Sequence, residues 1–133
     1  MSQQSARNRR RHRRVEIQTP IRLSTIDPEI DPFSGRPFFR VCEESCANLS
    51  RGGARVRTRE PLAPGRRLLL EMQLPGGTAF EAIGRVAWTR AELADAAALE
   101  RGPDFGLGVE FLGGTPDHMA RLESFLAECS EAA

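Results

Sequence analysis

The sequence lacks several things that would point to particular functions. No apolar run approaches the ~20 residues needed to span a bilayer, and no apolar stretch follows the arginines near the start, so neither a transmembrane helix nor a secretory leader is read. Cysteine is scarce. Three thiols, an odd number, argue against a disulfide framework and for a reducing, cytoplasmic setting. Lysine is absent, and all 19 basic residues are arginine, which reflects coding bias and carries no functional weight. With 133 residues there is room for one compact domain and none for a two-domain enzyme.

The contexts that enzymes need are also not read. The two histidines, His12 and His118, fall in a basic N-terminal segment and at the start of a C-terminal helical pattern, and neither sits in an HExxH, nucleophile-elbow or triad-like context. Cys42 and Cys46 have a CxxxC spacing without a second Cys/His pair to complete a tetrahedral metal site, and Cys129 extends an apolar stripe. Gly76-Gly77 and Gly113-Gly114 lack the strand and helix context of phosphate-binding loops and read as turns. No catalytic residue, metal or cofactor is expected.

The net charge of +1 conceals an asymmetry. Residues 1–14 hold six arginines and no acid, whereas the remaining 119 residues carry 13 arginines against 18 acids. The sequence therefore divides into a polar, Arg-rich arm over 1–14 and a mildly acidic body over 15–133.

The body is patterned as strands. Val15, Ile17, Ile21 and Leu23 mark one, with Pro20 pointing to an edge or bulge; Phe38 to Cys42 mark a second after the turn-rich loop from Asp27 to Pro37. A small, polar connection from Ala47 to Gly53 leads into a third strand with Ala54, Val56 and Thr58. Leu68, Leu70, Met72 and Leu74 alternate cleanly, and Pro75-Gly76-Gly77 turns the chain into Phe80 to Trp88, with Phe80, Ala82, Gly84, Val86 and Trp88 on one side. Ala91 to Glu100 reads as a short helix ended by Gly102-Pro103, and Phe105 to Leu112 as a sixth strand. Thr115 caps a final helix bearing Met119, Leu122, Phe125 and Leu126 on one stripe. The expected fold is mainly β, a small six-stranded antiparallel barrel with a C-terminal helix.

Two segments stand out. Arg10 and Arg14 lie four apart just before the first strand, and Asn48-Leu49-Ser50-Arg51-Gly52-Gly53 places an amide, a hydroxyl and two glycines in a tight turn. Taken singly they read as a solvated basic tail and a side-chain-stabilised β-turn. Together, in this order and with Gly106-Leu107-Gly108-Val109-Glu110-Phe111 as the last strand, they resemble the RxxxR and [D/N]xSxxG motifs of the PilZ domain family, and the resemblance covers essentially everything after residue 8.

The resemblance implies a non-catalytic receptor for cyclic di-GMP. Arg10, Arg14, Asn48, Ser50 and Gly53 would hold the ligand, with Gly53 keeping the turn compact, and the arm would fold over it and alter the surface offered to a downstream protein partner. It also implies that Arg9, being basic, is compatible with an intercalated ligand pair. The chemistry agrees, because an arginine fork matches the O6/N7 edge of guanine or a phosphate, and its plane stacks on a purine. This sequence departs from the family in the 33 residues between Arg14 and Asn48, the excess lying in the Asp27 to Pro37 loop, and in the alternative pairs Arg9/Arg13 and Arg7/Arg11. The competing readings are a PilZ-fold interaction module that does not bind nucleotide, and nucleic-acid binding through the arm. The second is disfavoured by an acidic body without an aromatic platform, so no DNA or RNA partner is expected, and no membrane insertion.

Overall fold

The computed structural model describes residues 14–92 and 104–132. Its strands are β1 (Val15–Thr25), β2 (Glu29–Ile30), β3 (Pro37–Phe38), β4 (Val41–Leu49), β5 (Gly53–Thr58), β6 (Arg67–Gln73), β7 (Ala79–Glu92) and β8 (Asp104–Gly113), followed by helix α1 (Pro116–Ala132). Six strands close an antiparallel barrel in the order β1-β4-β5-β8-β7-β6, with β6 returning to β1. β2 and β3 form a separate hairpin.

The period-two residues fill the barrel. Leu23, Leu49, Val56, Leu68, Leu70, Val86 and Leu107 are almost fully buried, and Phe80 meets Phe111 edge to face at 5.7 Å between ring centroids. α1 is capped as its sequence predicts: the His118 N–H donates to the Thr115 hydroxyl at 3.3 Å, and Leu122 is buried with Met119, Phe125 and Leu126 packed beside it. His118 Nδ1 accepts the Glu81 N–H at 3.1 Å, docking the first turn of α1 on β7. Among the described residues no helix is long and apolar enough to cross a membrane.

Four expectations are corrected. The second barrel strand is Val41–Leu49, because Pro37 and Phe38 are taken up by the small hairpin within the Asp27 to Pro37 loop. The connection before β5 is only Ser50 to Gly52, since β4 runs on to Leu49. Ala91 and Glu92 continue β7, paired with Phe105 and Asp104, where a helix was expected to start; positions 93–100 lie outside the described residues.

The fourth concerns Trp88. Val86 pairs with Val109 and Trp88 with Gly108, so Ala87 is an extra residue and the bulge reverses the face of everything after it. Trp88 consequently leaves the line of Phe80, Ala82 and Val86 and lies outside the barrel. Pro20 is accommodated as its chemistry requires: β1 shifts register against β4 between Glu16 and Thr19, and pairing with β6 begins only at Ile21.

Candidate functional site

Antiparallel pairing of β1 with β4 sets the geometry. Val15 lies opposite Leu49, so the next residue outward on each strand is Arg14 on one side and Ser50 on the other. The start of the body and the Asn48 to Gly53 turn thus share one end of the barrel. The excursion between β1 and β4 leaves from the other end, where the Thr25 and Arg40 backbones are bonded at 2.9 Å. The extra length in this sequence therefore stands away from the site.

Asn48 owes its direction to a second bulge. Cys46 pairs with Val56 and Asn48 with Arg55, leaving Ala47 as the extra residue. Without it Asn48 would share the inward face of Cys46; with it Leu49 points into the core and Asn48 sits half-buried on the outside, between Glu16 and Arg55.

Ser50 is only 9% exposed, and its hydroxyl is committed to the turn. It donates to the Gly53 carbonyl at 3.3 Å and accepts the Gly52 N–H at 3.3 Å, while the Ser50 N–H donates to the same carbonyl at 2.9 Å. The turn is further tied to β8, where the Phe111 N–H donates to the Gly52 carbonyl at 2.8 Å, and to α1 by an Arg51–Glu123 ion pair of 2.9 Å. Ser50→Ala removes two bonds from a turn that is otherwise intact and is expected to lower stability by roughly 0.5–1.5 kcal/mol. The urea midpoint measures it, and an unchanged midpoint contradicts the structural role.

Gly53 opens β5 at the end of the turn. A Cβ on it would stand 2.1 Å from the carbonyl oxygen of Val109, so glycine is demanded by the closeness of β5 and β8. Arg9 and Arg10 lie outside the described residues, so the structure brings together Arg14, Asn48, Ser50 and Gly53 of the six expected positions.

The barrel register adds residues that sequence reading missed. Along one outer row stand Glu16, Asn48, Arg55, Gly108 and Trp88, and the next row holds Arg57, Gly106 and Arg90. Gly108 is bare so that the indole can lie across it: a Cβ there would come 2.1 Å from Trp88 Nε1. The Arg90 guanidinium stacks 4.6 Å from the centre of the same ring. The visible signal was the pair Gly106 and Gly108 on one face of a strand, which leaves backbone uncovered for something flat.

This surface is equipped to bind. It presents guanidiniums, an amide and an aromatic ring, all suited to a planar anionic ligand. Two thiols are held protonated near neutral pH, since burial pushes Cys46 up to about 12, and burial together with the nearby Glu60 carboxylate pushes Cys42 up to about 11. Among the described residues no three His, Cys, Asp or Glu side chains gather as a metal site.

A family model for the PilZ domain matches residues 8–128. Among solved structures, the chain resembles the PilZ domain of YcgR from Escherichia coli with cyclic di-GMP, at 17% identity and a TM-score of 0.61, covering 93% of this chain and 96% of that one. It also resembles the Bacillus subtilis inhibitor of motility MotI/DgrA, at 15% identity and a TM-score of 0.62, over 94% of this chain and 53% of that one. A third is MrkH from K. pneumonia, a cyclic di-GMP-dependent transcription regulatory factor, at 17% identity and a TM-score of 0.61, over 93% of this chain and 52% of that one. The chain thus spans about half the length of the latter two proteins. No curated protein matches its sequence.

Proposed function

Because the chain belongs to the PilZ domain family, we propose that it is a non-catalytic cyclic di-GMP receptor, holding the nucleotide between the Arg-rich segment 1–14 and the outer face of the body, 15–133. The observation that carries this reading is the β1–β4 register, which sets Arg14 beside the Asn48 to Gly53 turn. Cyclic di-GMP on the PilZ domain of YcgR supports it.

The residues divide the work. Arg10 and Arg14 grip guanine edges or phosphates bidentately, and Asn48 offers an amide to the polar edge of a base. Ser50 and Gly53 build the turn and act on the ligand through its shape. Trp88 supplies a face for stacking, with Arg57 and Arg90 beside it for phosphate. Closure of the arm then changes the surface that a downstream protein meets.

Trp88 is the sole tryptophan, so its emission reports on this face alone. Cyclic di-GMP is expected to change that emission to a saturable end point at two nucleotides per chain, falling toward one in Arg9→Leu, because Arg9 adds a cation for the crowded phosphates of a stacked pair. Emission unaltered at saturating nucleotide contradicts placement of the ligand on Trp88. A ratio of one in the wild type contradicts the pair.

A further inference from the structure

The excursion between β1 and β4 is a rigid arm with an apolar tip. At its root Arg67 grips the Asp27 carboxylate at 2.7 and 3.1 Å, and Arg66 donates to the Asp27 and Pro28 carbonyls at 3.3 and 3.1 Å. Along its length Arg40 pairs with Glu29 and lies over the Phe38 ring at 5.8 Å. At the tip the Asp31 carboxylate accepts the Phe33 N–H at 2.9 Å and the Ser34 hydroxyl at 3.1 Å, while Gly35 closes the turn with a φ of 71°. All this order serves to display hydrophobic groups: Phe33 is 98% exposed, Ile30 62% and Phe39 59%. A fixed aromatic knob in water is the mark of a docking element, since it loses little entropy on binding.

The same chain carries a matching hollow. On the outer face of β6, β7 and β8 lies a groove of about 560 Å³ lined by Leu69, Ile83, Leu112 and Gly113, with Ile83 42% and Leu112 46% exposed. Leu112 reaches it as the extra residue of a bulge, between the pairs Ile83–Gly113 and Gly84–Phe111. Arg67 borders this groove and also roots the knob, so the two features adjoin.

We propose that the chain forms a two-fold dimer in which the Phe33 knob of each copy enters the Leu69–Ile83–Leu112 groove of the other. Size favours a second copy. With aromatic side chains burying about 150–250 Å² each, the knob alone provides roughly 500 Å², short of the ~800 Å² per partner of a stable interface. Knob and groove together bring each copy to roughly 600 Å², the lower end of the stable range. Their adjacency around Arg67 lets a two-fold axis pair both sets at once, so assembly closes at two copies without forming a fibre. The Arg14 and Ser50 end of the barrel stays open to ligand.

Sedimentation equilibrium of the full chain tests this. The wild type is expected to be a dimer, and Phe33→Ser and Ile83→Lys, both at exposed positions, each to weaken it roughly ten- to hundredfold with an unchanged thermal melt. Mixing the two variants is expected to give a heterodimer tighter than either homodimer, because one knob and one groove remain intact. A monomeric wild type, a dimer indifferent to Phe33→Ser, or one sensitive to Phe33→Ser but not Ile83→Lys overturns the proposal. So does a monomer that sediments through Phe33 with phosphatidylglycerol/phosphatidylethanolamine vesicles, which would assign the knob to a lipid surface.

Discussion

Arg14→Ala is expected to weaken cyclic di-GMP binding roughly ten- to hundredfold, and Arg10→Ala to do the same. Arg14 leaves β1 at the position whose partner across the register is Ser50, so its side chain departs beside the turn that carries Asn48. A guanidinium there supplies two parallel donors to a guanine edge or phosphate, and losing such a pair costs about 1–3 kcal/mol. A lysine keeps the charge but not the fork, so Arg14→Lys should recover only part of the affinity. Titration of both alanine variants checks this. If each binds as the wild type does, the contact lies elsewhere among the arginines of residues 1–14.

Gly53→Ala is expected to damage the fold more than any contact with a ligand. The added Cβ would stand 2.1 Å from the Val109 carbonyl oxygen, a backbone atom that cannot swing aside. The clash falls where Gly53 pairs with Glu110 and Ala54 with Val109, so β5 and β8 must part at the edge of the turn. Overpacking of this kind costs roughly 1–3 kcal/mol or more, enough to lower the melting temperature by several degrees. Gly113→Ala is the control, since its Cβ would meet nothing within 4 Å. There the smaller entropy of the unfolded chain favours equal or slightly higher stability. A Gly53→Ala protein that melts like the wild type but has lost its ligand would return Gly53 to the role of a ligand-facing residue.

How much of this was legible in the sequence follows from where the period of two holds. Leu68, Leu70 and Met72 alternate without interruption, and all three lie on β6, with Leu74 one residue past its end. The terminal helix was legible for the same reason, from its cap and its stripe. Periodicity fails at a bulge, because one inserted residue reverses the faces while leaving the composition unchanged. Ala47 and Ala87 are such residues, small and featureless in the sequence, and they decide that Asn48 and Trp88 face outward. The motif residues were therefore legible by position, while the aromatic face beside them was not. The local bonds of Ser50 within its turn were legible as a side-chain-stabilised β-turn, whereas the Val109 carbonyl that makes Gly53 a glycine is visible only once β5 lies against β8.

Isothermal titration of the full chain with cyclic di-GMP tests the central claim most directly. The predicted result is saturable heat with cyclic di-GMP, none of comparable affinity with GMP, and loss of the signal in an Arg10→Ala, Arg14→Ala double variant that retains the wild-type melt. A folded wild-type chain that yields no saturable heat would contradict the receptor reading and leave the barrel as an interaction module that does not bind nucleotide.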